Sequence, residues 1–214
     1  MANDYDEDQQ IEQIKRWWSE NWKSLAAGLV IGLGGIFGWQ GYQHHQMTQA
    51  AQASQMFGDM GNFLKEQKMD EANAAADELV KEYAGTPYAV SAALKMAQQD
   101  VEHDKLDAAA QRLQWVMDNS KDAGMVPLAR LRLAKVRWQQ QKPDDALKLL
   151  DGDHGNYQAL FDELRGDIQL SQGDRAAART AYEKALQEGA NPAAPEQQGE
   201  LQRKLDDLAD AVTS

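Results

Sequence analysis

Between Ser24 and Tyr42 the chain runs for 19 residues, SLAAGLVIGLGGIFGWQGY, without one charge. As a helix this run is about 28 Å long, close to the roughly 30 Å hydrocarbon core of a bilayer. Gln40 is its only strongly polar member and sits near one end. Six glycines fall inside it. A core helix in water would forfeit about 1 kcal/mol at each Gly relative to Ala. The run therefore reads as a transmembrane helix over residues 24–42. Aromatic residues bracket it: Trp17, Trp18 and Trp22 on one side, Trp39 and Tyr42 on the other. Trp18 and Trp39 would lie about 32 Å apart along a helix, which places their rings at the two headgroup levels.

A secretory leader fits poorly. The uncharged run exceeds the usual 7–15-residue apolar segment of one, and six acids precede it. The small-residue pattern Ala51-Gln52-Ala53 lies too far beyond Tyr42 to serve as its cleavage site. An uncleaved signal anchor is the expectation. Lys15, Arg16 and Lys23 precede the span, and no Lys or Arg follows it until Lys65. Flanking positive charge sets orientation, so the N-terminus is expected in the cytoplasm and residues 43–214 on the exported side, the periplasm of a bacterium.

The glycines have helical spacing. Gly28, Gly32 and Gly35 fall on one face, and Gly34, Gly38 and Gly41 on another. Small faces let a second membrane helix approach closely, so lateral association within the membrane is expected. Upstream, Met1–Asp8 is acidic and poor in apolar residues, a composition that favours disorder. Ile11, Ile14, Trp18, Trp22 and Leu25 then form a helical stripe. It suits a helix lying at the inner membrane surface, as an interfacial anchor more than a docking element.

The rest of the chain contrasts with the span. Its 214 residues hold no Cys, 22 Lys+Arg and 34 Asp+Glu, a net charge of −12. Absence of Cys excludes disulfide scaffolds, thiolate metal sites and a cysteine nucleophile. The acidic balance argues against nucleic acid as partner. A mean hydropathy of −0.68 excludes a polytopic membrane protein.

Residues 43–214 carry a repeat. Ala97, Ala109, Leu113 and Val116 take the spacing 0, +12, +16, +19, and Ala134, Ala146 and Leu150 take 0, +12, +16. Gly166, Ala178, Tyr182 and Ala185 take the full spacing again, with Gly173 at the turn. That is tetratricopeptide spacing. Two antiparallel helices approach to about 8–10 Å only where small side chains face each other. The offsets between units, 37 and 32 residues, bracket the usual period, with the longer connection expected at 119–124. Residues 47–84 would form a degenerate pair, registered by Ala75 and Leu79 and closed by Thr86-Pro87. Further breaks are expected at Lys142-Pro143, Gly152–Gly155 and Asn191–Pro195. Leu201, Leu205, Leu208 and Val212 then stripe an otherwise polar helix, as suits a terminal cap. The expected fold is all-α: a transmembrane helix followed by a tetratricopeptide-like solenoid with a C-terminal capping helix.

No catalytic or metal constellation stands out, and no cofactor is expected. His44 and His45 follow the span, where they mark the interface. His103 and His154 fall at turns beside Asp104 and Asp153 and read as solvated. No phosphate loop, dinucleotide fingerprint, HExxH or Gly-x-Ser-x-Gly occurs, so an enzyme is not expected. Arg130, Arg132, Lys135 and Arg137 form the one basic cluster, a solvated face or a greeting for an acidic peptide. The first helix of each repeat lines a concave surface. In this register the groove-facing candidates are Leu94 and Gln98, then Leu131, Lys135 and Trp138, then Leu160, Glu163 and Asp167. Trp138 is either an exposed hot spot or a spacer packed between repeats.

The stretch IEQIKRWWSENWKSLAAGLVIGLGGIFGWQGYQHHQ resembles the N-terminus of the YfgM-type ancillary subunits of the SecYEG translocon. The resemblance lies in Ile14-Lys15, Trp17-Trp18, Glu20-Asn21, Lys23, the glycines at 28, 32 and 34, and Gly38-Trp39. It continues in LRLAKVRWQQQKPDDALKLLD and LRGDIQLSQGDRAAARTAYEKAL and covers nearly the whole chain. Trp22, where a smaller residue is usual, and the acidic leader depart from the pattern. The resemblance implies a single-pass protein of the bacterial inner membrane with a periplasmic repeat domain. Its implied partners are the SecYEG translocon, a membrane-anchored periplasmic chaperone of the prolyl-isomerase type, and exported polypeptides handed on to periplasmic chaperones. The residues alone also fit an organiser of the cell envelope or of division, or a regulator acting through the cytoplasmic tail.

Overall fold

The computed structural model describes residues 4–152, 154–188 and 195–210. Expectations for Asp153, Val212 and the break at 191–194 lie outside the described residues. The described elements are helices: α1 Asp4–Lys65, α2 Met69–Glu82, α3 Pro87–Glu102, α4 Leu106–Asn119, α5 Met125–Gln139, α6 Pro143–Leu149, a 3-10 turn Gly155–Tyr157, α7 Gln158–Ser171, α8 Arg175–Glu188 and α9 Pro195–Asp210. Residues 1–51 and 52–214 form two compact units. In the first, α1 is helical from Asp4. Positions 4–8 are drawn into this helix, and positions 1–3 lie outside the described residues. Acids suit the first turn of a helix, whose free N–H groups carry partial positive charge, and a long apolar segment follows to propagate the helix.

The second unit is a series of helical hairpins that share one turn chemistry. Gln67 (φ 59°), Asp104 (φ 58°), Gln141 (φ 61°) and Gly173 (φ 85°) each take the left-handed conformation just after a helix. Each turn repeats two hydrogen bonds. Gln67 N donates to Leu64 O and Lys68 N to Phe63 O; Asp104 N to Val101 O and Lys105 N to Asp100 O. Gln141 N donates to Trp138 O and Lys142 N to Arg137 O; Gly173 N to Leu170 O and Asp174 N to Gln169 O. These bonds satisfy carbonyls that a helix C-terminus leaves free, and they turn the chain back on itself. Five residues after each left-handed turn stands a fully buried alanine: Ala72, Ala109, Ala146 and Ala178. Starts are marked as well. Pro87 and Pro143 open α3 and α6, and the Thr86 hydroxyl accepts from Ala89 N at 3.4 Å.

The core follows the repeat spacing. Ala97, Ala109, Leu113 and Val116 lie in one buried cluster, with Ala129 and Leu133 of α5 packed onto it. Ala134, Ala146 and Leu150 join Phe161, Leu164 and Ile168 in the next. Ala178, Tyr182 and Ala185 meet Leu201 and Leu208 of α9, the terminal cap. Gly166 of α7 lies directly against the Tyr182 ring of α8. A Cβ there would lie 2.5 Å from Tyr182 Cδ1 and 3.0 Å from Cζ, nearer still to Cε1.

The degenerate first repeat sits in a different register from the one expected. Ala72, Ala76 and Leu79 are fully buried, whereas Ala75 is only half-buried. The offset to Ala109, Leu113 and Val116 is thus 37 residues, the same as the next offset. Met60 of α1 stands at the place that Ala97 holds one repeat on, and it is buried with Ala53 in the same cluster. A flexible thioether fills the gap that a small residue would leave. The expected longer connection is present at 120–124. The 32-residue offset has its cause in α6, only seven residues long.

His154 is buried, not solvated. Its ring stacks on Phe161 at 3.6 Å between centroids, and its Nε2 lies 3.2 Å from Leu150 O. Arg165 Nη2 donates to the same carbonyl. Because α6 stops early, its end needs these side chains to satisfy the open carbonyl. His103, by contrast, is exposed.

Candidate functional site

The inner helices α3, α5 and α7 border two clefts that share Lys135 and Gln139. One, between α3 and α5, has a volume of about 370 Å³; Leu94, Ala97, Val101, Leu113 and Val136 supply its apolar wall. Gln98, Glu102, Arg132, Lys135 and Gln139 complete its border. The wider one, about 650 Å³, lies between α5 and α7 beside Lys135, Trp138, Leu164, Asp167 and Ser171.

Five of the eight groove residues expected from the repeat register border these clefts: Leu94, Gln98, Lys135, Trp138 and Asp167. Leu131 does not; it is buried in the α5–α7 core. Leu160 packs at the edge of that core. Glu163 is bound by Lys204 of α9 at 2.8 Å. Trp138 is half-buried and spans two repeats, its Nε1 donating to Ser171 Oγ at 3.2 Å. Sequence reasoning missed Glu102, Gln139 and Ser171. They stand one helical turn beyond Gln98, Lys135 and Asp167, so extending the same register by four residues would have found them.

The two acids of this surface are already engaged. Glu102 accepts from Gln98 Nε2 at 2.8 Å and from Gln99 Nε2 at 2.6 Å. Asp167 accepts from Lys204 Nζ at 2.7 Å and from the Tyr182 hydroxyl at 2.8 Å. Burial alone would lower the Lys204 pKa, but the hydrogen bonds and charges of Asp167 and Glu163 outweigh it and hold the ammonium above the ordinary lysine value. Burial, then the bond to Asp167, pushes the Tyr182 phenol well up.

In α1 the apolar surface is uncovered. Leu29, Val30, Ile31 and Phe37 are each 64–76 % exposed. Trp17, Trp18, Trp22, Trp39 and Tyr42 are exposed too, and Trp39 and Tyr42 lie 6.3 Å apart. A Cβ added at Gly28, Gly32, Gly34, Gly35, Gly38 or Gly41 would meet nothing within 4 Å, so both small faces are open. So much contiguous apolar area has to be covered by something other than water. Among the described residues this is one helix long and apolar enough to cross a membrane.

A family profile described as a tetratricopeptide repeat-like domain matches residues 15–210. An Escherichia coli (strain K12) protein named "Ancillary SecYEG translocon subunit" is 35% identical over 204 residues, 95% of this chain and 97% of its own length. The chain belongs to the family of these ancillary subunits. A Haemophilus influenzae protein of the same name is 35% identical over 88% of this chain and 93% of its own length. One from Neisseria gonorrhoeae is 29% identical over 97% of this chain and all of its own. In fold the chain is similar to the crystal structure of MamA protein, with a TM-score of 0.52 and 17% identity over 76% of this chain and 90% of that one. The all-α expectation and the tetratricopeptide-like repeats therefore hold, and so does the family resemblance read from the N-terminal stretch.

Proposed function

We propose that this chain is a single-span adaptor of the bacterial inner membrane that acts at the SecYEG translocon by binding, without catalysis. Residues 1–23 lie in the cytoplasm, 24–42 cross the bilayer and 43–214 stand in the periplasm. The observation that carries the reading is the uncovered, glycine-faced α1 on the same chain as a repeat array with open clefts. The names of the relatives supply the translocon as the membrane partner. Three positive residues before the span, and none after it until Lys65, support the orientation. Mechanistically the chain positions. Either small face lets α1 pack against a membrane helix at close range, and the anchor holds the clefts within reach of chains leaving the translocon. Exported polypeptides and a membrane-anchored chaperone of the prolyl-isomerase type are the partners assigned to the repeat domain.

Photo-crosslinking in cells tests this reading, with probes at Ile31 and Ile36. Adducts with translocon subunits are expected. Adducts only with a second copy, or with cell-wall and division factors, overturn the reading in favour of an envelope organiser.

A further inference from the structure

The α3–α5 cleft pairs an apolar wall with two cations that form no ion pair, alongside one acid, Glu102. Arg132 and Lys135 are exposed on its border, and neither has an ion-pair or hydrogen-bond partner among the described residues. Glu102 on the same border accepts from two glutamine amides and keeps its negative charge, which, set against Arg132 and Lys135, leaves the border net positive by one; Asp167 is held by Lys204 and Tyr182. Some cations elsewhere are ion-paired, as at Arg112, Arg165, Arg179 and Lys204, and others are not; what sets Arg132 and Lys135 apart is their place beside the apolar wall of a cleft. The contrast with the surroundings matters as well. Residues 43–214 contain 19 Lys+Arg and 28 Asp+Glu, so this positive border is set in an acidic domain.

We propose that this cleft docks a segment of another polypeptide that carries apolar side chains and carboxylates. One or two apolar side chains would sit against Leu94, Val101, Leu113 and Val136, while the carboxylates pair with Arg132 and Lys135. Cations beside a low-dielectric wall attract carboxylates more strongly than cations in open water do. The acidic remainder of the domain repels such a segment from other places, so charge chooses the site and apolar burial holds it. The proposal rests on the reading of the repeat domain as a binding module and adds the chemistry of what it binds.

The test uses the full chain in phosphatidylcholine nanodiscs and a fluorescein-labelled ten-residue peptide with two leucines and four glutamates in a serine background. Matched peptides carry glutamine or lysine in place of glutamate, and anisotropy is read at low and at raised salt. The glutamate peptide should bind about tenfold tighter than the glutamine one, and the lysine peptide weaker than both. Raised salt should narrow the gap. The pair Arg132→Glu and Lys135→Glu, exposed positions whose change spares the core, should abolish the preference while circular dichroism stays unchanged. Equal binding of the three peptides, no binding, binding to empty nanodiscs, or a preference that survives the double reversal would each overturn the proposal. Crosslinks from Ile31 and Ile36 in the unaltered chain report the adaptor reading separately: their absence counts against that reading and leaves the cleft chemistry to the peptides.

Discussion

Gly166→Ala sets two known effects against each other. Inside a helix the change should stabilise by about 1 kcal/mol, because alanine is the better helix former. At this position the new methyl would lie 2.5 Å from Tyr182 Cδ1, where ordinary contact begins at 3.4 Å. The ring would have to retreat by about 1 Å, the difference between those distances. It has little room to do so. Tyr182 is fully buried, its hydroxyl is bound to Asp167 at 2.8 Å, and Lys204 Nζ stands 5.5 Å from the ring centre. Overpacking of this kind costs about 3 kcal/mol, so the net loss is about 2 kcal/mol. For a chain of this size that lowers the melting temperature by about 4–8 °C. Thermal melts of the full chain in detergent, followed by helical circular dichroism, measure it. The double variant Gly166→Ala with Tyr182→Leu should be about 3 kcal/mol more stable than the sum of the single changes, because the smaller side chain vacates the space and the whole overpacking cost disappears. A neutral or stabilising Gly166→Ala would refute the argument that this glycine sets the α7–α8 distance. Strict additivity in the double variant would locate the cost elsewhere than the ring.

Gln67, Asp104 and Gln141 adopt a backbone conformation that disfavours side chains, so glycine at any of them should stabilise by about 0.5–1 kcal/mol; Gly173→Ala should cost about 1 kcal/mol, and urea titrations read all four. Asp100 is buried and paired with Arg112 at 2.9 Å, and Arg112 also reaches Asp77 and Asn73. Asp100→Ala leaves a half-compensated guanidinium between α2, α3 and α4 and should cost about 3 kcal/mol, visible in the same titrations. The capping helix should loosen in alkali. Lys204 and Tyr182 both have folded pKa values above their ordinary ones, so their contribution is complete below about pH 10 and is lost as pH rises through the folded values. Amide exchange in α9, corrected for its intrinsic pH dependence, should accelerate above pH 10 in the parent chain and less in Lys204→Met; an identical profile in both would contradict the assignment.

Where packing demands a small side chain, the sequence announced it. Ala97, Ala109, Ala134, Ala146, Gly166 and Ala178 are all buried between helices, and at Gly166 even a Cβ would collide with Tyr182, so their spacing was legible. Ala75 misled because alanines crowd the segment from 72 to 76, and composition there does not say which one faces inward. Met60 hid the first helix of that repeat, since methionine can stand for a small residue only by bending. His154 was illegible for another reason: the early stop of α6 creates a need that exists only in three dimensions. The groove was half legible. Its register followed from the repeat, but the engagement of Glu163 and Asp167 by Lys204 joins residues 41 and 37 positions apart. No local pattern reports such a pairing.

The short α6 sets a length scale for cooperation. In a linear array each repeat is coupled chiefly to its neighbours, and correlation between distant repeats is a product of nearest-neighbour terms. One small factor in that product shortens the whole. Here the shortest of the described α-helices gives way to a loop, with the His154 ring and the Arg165 guanidinium closing the open end of α6. A disturbance at the α3–α5 cleft reaches the capping helix through that joint and through the direct α5–α7 packing, where Leu131 and Ala134 meet Phe161 and Leu164 and Trp138 reaches Ser171. On this view His154 is a coupling constant as much as a packing residue: weakening it would leave every helix in place and shift the linking of the two halves onto the α5–α7 packing alone.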